Sequence, residues 1–441
     1  MIQLSDHFTL RRLLRFSFPS IIMMIFTSIY GVVDGFFVSN FVGKTPFAAV
    51  NFVMPLIMIL GGFGFMFGTG GSALIAKTLG EGKREKANRL FSMLVAVSAV
   101  AGIAIVVIGF IFIRPVLSLL GARGEMLEES VTYASVVIPA IPVLFLQYEF
   151  QSLFVTAEKP KLGLYVTVAA GVTNMVLDAL FVGAFRWGLV GAAGATAFSE
   201  LIGGMLPVIY FLRENSSLLR LSRPSFDGMA LLRICTNGSS EVMSNISMSL
   251  IGMLYNVQLL KYAGENGVAA YGVLMYVNMI FLAVFIGFSI GTAPVIGYHY
   301  GAQNHSELKG ILRKSLAVIS VFSVCMAASA LLLARPLALI FVGYDSGLMK
   351  MTLHAFYIYS FSFLLAGFAI YGSSFFTALN DGLTSAIISF LRTLVFEVAA
   401  VLLLPLILGL DGIWISAVAA ELMAVVVTAA FLLGKRKKYR Y

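Results

Sequence analysis

Apolar runs recur along the whole chain, and residues 90–113, 131–157 and 399–408 are long or nearly uninterrupted examples. About 20 consecutive apolar residues in helical form cross the hydrocarbon core of a bilayer. Lipid offers no partners to the backbone, so each crossing segment must satisfy its own N–H and C=O groups, as a helix does. Twelve spans fit the sequence, at 14–40, 47–76, 90–113, 131–157, 162–184, 189–212, 233–261, 268–297, 311–334, 351–379, 383–408 and 411–434. Composition closes the soluble alternative: 59% of the 441 residues are hydrophobic and 12% charged, against about 25% charged in soluble domains. The expected fold is all-α and polytopic. Arg11, Arg12 and Arg15 precede a first stretch longer than a signal-peptide core and followed at once by further spans, so it reads as a retained helix.

The basic residues orient the spans. With an inner N-terminus, 22 of the 30 Lys and Arg fall on inner segments, seven on outer loops, and Arg392 inside span 11. Such asymmetry predicts both termini on the cytoplasmic side. The net charge of +9 is then topogenic, and the cluster Lys435, Arg436, Lys437, Lys438 and Arg440 flanks the membrane rather than binding nucleic acid. Cys235 and Cys325 offer neither a disulfide framework nor metal-ligand spacing.

A constant offset of 221 residues aligns Gly80 with Gly301, Arg114-Pro115 with Arg335-Pro336, Thr156-Ala157 with Thr377-Ala378, Gly191 with Gly412, and Glu200 with Glu421. Six spans per unit is an even number, so both copies enter the membrane in the same direction, the plan of parallel-repeat transporters. The expected organisation is two six-helix lobes around a central cleft, residues 1–213 and 233–441, joined by an inner polar linker at 214–232.

Ionisable groups at membrane depth cost at least about 2.5–3.5 kcal/mol, and so they usually face the protein interior and mark a pathway. Asp34, Asp178, Glu200, Glu241, Arg392, Glu397 and Glu421 fall in the spans. At about 1.5 Å per residue, Asp34 and Asp178 lie about 9 Å from the outer ends of spans 1 and 5, and Thr196 about 11 Å from the outer end of span 6. Asn174 shares a face with Asp178, and Glu200 with Thr196, one turn deeper in each case. These oxygens form a candidate cation site in one band of the outer half. The second half has Tyr255, Val395, Ala399 and Ala417 at the positions of Asp34, Asn174, Asp178 and Thr196, so the repeat keeps its scaffold and loses this polar set. Helix–helix hydrogen bonding is the structural alternative. Glu200 and Glu421, at one repeat position, are expected to share a structural role. Arg392 and Glu397, five apart, are not expected to pair along a helix.

Glycines 61, 62, 64, 68, 70 and 71 predict close helix packing in span 2. Gly43-Lys44-Thr45 has the ending of a phosphate-binding loop, but Val38 stands where that motif needs Gly, so no nucleotide is expected. None of the four His begins an HExxH motif.

The segment Val33-Asp34-Gly35-Phe36-Phe37-Val38-Ser39, the loop Lys77-Thr78-Leu79-Gly80-Glu81-Gly82 and the run Asn174-Met175-Val176-Leu177-Asp178 together resemble the multidrug and toxic compound extrusion (MATE) family. The likeness is closest to its prokaryotic branch with a cation-binding set in the N-terminal lobe, matched here by Asp34, Asn174, Asp178 and Thr196. The resemblance implies a monomeric inner-membrane exporter of amphipathic cations, exchanging them for protons or sodium. It implies no cofactor, and metal ligation by those four residues only if sodium is the coupling ion. Pro19 matches the proline at which the family's first helix bends. Glu200 departs from the pattern, and Glu241 lies where another branch has an essential carboxylate; both, with Arg392 and Glu421, are further candidates for coupling or substrate contact. Two rivals are a lipid-linked oligosaccharide flippase of the same superfamily, which would need more cationic residues inside the spans, and an intramembrane enzyme, for which no nucleophile and base pattern is visible.

Overall fold

The computed structural model describes residues 2–42 and 44–441, the side chains of Ser39, Asn40, Lys44, Phe47 and Ala48 excepted. The expectation for the turn at Gly43-Lys44 falls outside the described residues. Among those residues every regular element is helical. Spans 1 to 3 are Leu10–Phe41, Lys44–Gly80 and Arg84–Leu119. Spans 4 to 6 are Gly124–Thr156, Pro160–Ala184 and Gly188–Leu212, and spans 9 to 12 are His305–Val342, Ser346–Ala378, Gly382–Leu408 and Leu410–Tyr439.

Between these sets lies one helical run of 74 residues, Gly228–Gly301, broken at Gly264 with φ 63° and ψ −153°. An unbroken helix of that length would extend about 110 Å. Instead, the rings of Tyr255 and Tyr271 stack across the break with centroids 4.7 Å apart, so the chain reverses there and supplies spans 7 and 8. The stretch at 262–267, read from the sequence as a loop, departs from helical geometry only at Gly264. That conformation is open to glycine because it lacks a Cβ. With that run divided at Gly264, the described residues form twelve spans.

Reciprocal contacts reveal the repeat axis. A Cβ on Gly80 would lie 2.0 Å from the Tyr298 carbonyl oxygen, and one on Gly301 would lie 2.1 Å from that of Lys77. Lys77 and Tyr298 are themselves 221 apart, and contacts exchanged in this way are the mark of a two-fold relation. At this end, which also holds both termini, span 8 meets span 1 through Gly287 and Gly291, and span 7 meets span 2 through Gly70 and Gly238. Towards the other end, a Cβ on Gly31, Gly35, Gly252 or Gly272 would meet nothing within 4 Å. The close glycine contacts between the halves are thus concentrated at the end that holds the termini. The span-2 glycines serve packing, as the sequence predicts: Gly64 and Gly68 admit the backbone of span 4 at Phe145 and Glu149, and Gly71 admits Leu94.

One core joins spans 2 to 6, another lies within the second half around Trp414 and Phe356, and a third ties the beginning of span 1 to spans 8 to 12. Pro19 sits inside a continuous span 1. The segment before span 1 reaches both halves. Leu4 donates its N–H to Glu158 at 2.6 Å, and Phe8 donates its N–H to Glu307 at 2.8 Å.

Spans 4 and 10 each contain a 3-10 turn, Ile138–Ala140 and Ser360–Ser362, and spans 5 and 11 each contain a π-turn, Ala179–Ala184 and Leu391–Phe396. Under the repeat offset the 3-10 turns differ by one residue and the π-turns by nine. The halves thus share a scaffold while presenting different side chains along spans 5 and 11.

Candidate functional site

Asp34, Asn174, Asp178 and Glu200 are gathered inside the first half and are 9%, 2%, 0% and 6% exposed. Span 1 brings Asp34 close to Asp178 and Asn174 of span 5. Glu200, on span 6, feels the charge of Asp34. Thr196 is half-buried and donates its hydroxyl to the Ala192 carbonyl at 3.2 Å. Asp178 ends the α-helical part of span 5, and the π-turn begins at the next residue. Such wide turns recur at functional sites.

The site is short of donors. One Asp34 oxygen, the Asn174 carbonyl oxygen, both Asp178 oxygens and one Glu200 oxygen are buried with no hydrogen-bond partner among the described residues. No Lys, Arg or His lies within ion-pair distance of these acids among the described residues. Buried polar atoms are rarely left unpaired, and a buried charge without a counter-charge is costly. An exchangeable proton or monovalent cation would fit this oxygen-only set. No three His, Cys, Asp or Glu side chains converge as a metal-ligand group among the described residues, so any bound cation would also draw on the amide and hydroxyl oxygens.

Three neighbours escape the sequence reading. Tyr133 of span 4 is 1% exposed and lies near Thr196 and the three carboxylates. Tyr30 lies beside Glu200 and Asp34 and meets Gln147 of span 4. Tyr30 is four residues before Asp34 on one helical face, a spacing that could have revealed it; Tyr133 and Gln147 carry no comparable signal. The set of intramembrane carboxylates also needs a correction: Glu149 of span 4 is fully buried, near Ser98, and neither of its oxygens has a partner among the described residues.

The second half encloses its own polar cluster, which the loss of the first half's residue types had concealed. Arg392 donates Nε to both Glu421 oxygens at 3.0 Å and Nη2 to Oε1 at 2.7 Å. The two side chains are 16% and 12% exposed. Glu397 accepts a hydrogen bond from the Tyr255 hydroxyl at 3.2 Å, and Tyr359 borders the same three charges. The expectation that Glu200 and Glu421 share a role is thus corrected, because Glu421 is ion-paired and Glu200 is not. Arg392 and Glu397 form no ion pair, as anticipated. The stated reason does not hold, however: a π-turn brings residues five apart towards one side, and both side chains serve the same cluster.

Glu241 belongs to neither cluster. It is half-buried on span 7, its backbone carbonyl accepts from Asn245 at 2.9 Å, and its neighbour Val242 faces Gly62 of span 2.

Apolar spans in a two-fold repeat among the described residues, with buried acids in each half, have the architecture of a polytopic integral membrane transporter. The chain belongs to the MatE family, whose model matches residues 19–180 and again residues 242–403. The two matched segments are equal in length, so the family model recovers the internal repeat. Multidrug export protein MepA of Staphylococcus saprophyticus is 25% identical over 413 residues, covering 93% of this chain and 90% of that protein. MepA of Staphylococcus aureus is 24% identical over 419 residues, covering 94% and 91%. Among solved structures, the outward-facing conformation of a multidrug resistance MATE family transporter of the MOP superfamily superposes with a TM-score of 0.93 at 23% identity, covering 98% and 97% of the two chains. A MOP superfamily transporter from Pyrococcus furiosus does so with 0.92 at 22% identity, covering 99% and 98%.

Proposed function

We propose that this chain is a secondary active multidrug exporter that exchanges amphipathic organic cations for protons or sodium. The observation that carries the exchange is the cluster of Asp34, Asp178 and Glu200: three buried carboxylates, unpaired oxygens on each, and no basic partner. The relatives' name, multidrug export protein, supports drug export as the class of transport. Two lobes, residues 1–213 and 233–441 joined by a linker at 214–232, alternate access to the cleft between them. The distribution of basic residues supports cytoplasmic termini in the inner membrane, and the close glycine contacts at that end then favour a cleft that faces outward. The chain acts as a monomer, since the repeat builds both sides of the cleft within one polypeptide.

Coupling follows from charge. With the acids empty of cation, closing the lobe around them buries net negative charge, which is costly. Cation loading removes that penalty, and exchange results when drug and cation favour opposite-facing states. The flippase reading fares worse, because Arg392, the basic side chain within the spans, is already engaged by Glu421 and is not free for a pyrophosphate.

The test is efflux of a fluorescent cationic dye from proteoliposomes under a proton or a sodium gradient. Wild type should respond to at least one gradient. Asp34→Asn should fold and retain dye binding while losing gradient-driven efflux. Full efflux by a well-folded Asp34→Asn, Asp178→Asn double variant would move coupling elsewhere, with Glu241 next in line.

A further inference from the structure

Each half of the chain buries carboxylates among corresponding helices of the repeat: spans 1, 5 and 6 in the first, spans 7, 11 and 12 in the second. Tyr255 stands at the repeat position of Asp34, Glu421 at that of Glu200, and Arg392 at that of Gly171. The last replacement distinguishes the halves. A Cβ on Gly171 would meet Phe26 at 2.5 Å and Tyr30 at 2.9 Å, so aromatic rings occupy the space beside it. Glu200 is left with an unpartnered oxygen. In the second half a guanidinium comes from the corresponding position and grips Glu421 through Nε and Nη2. Arginine does not lose its proton in a protein, and a side chain cannot diffuse away.

We propose that Arg392 is a tethered cation filling the second half's counterpart of the exchange site, so that this half is permanently loaded and cation exchange is confined to the first half. The inference rests on the reading that Asp34 and Asp178, in the field of Glu200, hold the exchanging cation. It explains why the repeat retains buried acids in both halves while only one of them lacks a protein counter-charge. It also identifies what would create a second exchangeable site. Removing the guanidinium leaves Glu421 near Glu397, which accepts from the Tyr255 hydroxyl, an acidic oxygen cluster for a proton or a sodium ion.

The experiment compares full-length wild type, Arg392→Gln, Arg392→Lys and the Arg392→Gln, Glu421→Gln pair, each also in an Asp34→Asn background. Radiolabelled sodium binding at alkaline pH and proton uptake by an indicator dye count the cations. Thermal unfolding midpoints are measured against sodium concentration and pH. Arg392→Gln should bind one cation more than its parent in either background, and its midpoint should rise more steeply with cation concentration, by linkage. The Lys variant and the double variant should match the parent. If Asp34→Asn alone leaves the cation count unchanged, the first-half reading fails. If Arg392→Gln folds and gains no cation, the tethered-cation assignment fails. A poorly stable Arg392→Gln whose midpoint ignores both sodium and pH overturns it equally.

Discussion

Asp34 and Asp178 are neighbours on spans 1 and 5, and a proton or cation held there would relieve the repulsion of two buried carboxylates. Glu200 contributes through its field rather than by contact, so its removal should have a different effect. Glu200→Gln keeps the shape and deletes one negative charge, worth about 1–2 kcal/mol at an effective dielectric of about 20. Gradient-driven efflux should persist in Glu200→Gln, with an apparent cation affinity roughly tenfold weaker. Dye-efflux rates titrated against the coupling ion would show this, and complete loss of efflux would make Glu200 a direct cation ligand. Asp178→Asn should instead abolish exchange as Asp34→Asn does.

Single residues also set the course of whole elements. Gly264 reverses a 74-residue helical run at φ 63° and ψ −153°, and Gly409 turns span 11 into span 12 at φ 60° and ψ −137°. A side chain in this region of backbone space is strained by about 1–3 kcal/mol. Gly264→Ala and Gly409→Ala should therefore lower thermal stability by about that amount, measured by unfolding in detergent, whereas Gly252→Ala, in open helical space, should be neutral. The sequence made the spans and the repeat legible because hydropathy acts over whole segments. Asp34, Asn174, Asp178 and Thr196 were legible through depth and helical facing. The π-turns were not, since no residue type announces an i→i+5 bond, and with them went the orientation of Arg392 and Glu397. Arg392 and Glu421 lie 29 residues apart on neighbouring spans, a pairing that neither periodicity nor the 221-residue offset encodes. Glu149 shows the opposite failure: it was visible as a carboxylate within a span, and only the structure shows how completely it is enclosed.

At the scale of the whole molecule, the two halves must separate at the end that is now closed if the cleft is to open there, and the N-terminal segment ties them together. Leu4 and Phe8 are both fully buried. Leu4 bonds to Glu158, which follows span 4 in the first half. Phe8 bonds to Glu307 of span 9 in the second half, where His7 contacts the same carboxylate at 2.6 Å and Lys314 donates to the Phe8 carbonyl. Protonating the Glu307 carboxylate would weaken its charge-assisted bonds to the Phe8 N–H and His7. Hydrogen bonds to a charged group contribute about 1.5–3 kcal/mol, enough to shift a closed-to-open ratio by roughly tenfold or more. Spin labels at Glu85 and Lys309, exposed residues near the closed end of each half, should therefore report longer distances when residues 2–8 are deleted. Acidification that protonates Glu307 should lengthen the wild-type distance, and Glu307→Gln should remove that acid step. Distances unchanged by the deletion would show that the glycine contacts among spans 1, 2, 7 and 8 close this end without help from the N-terminal segment.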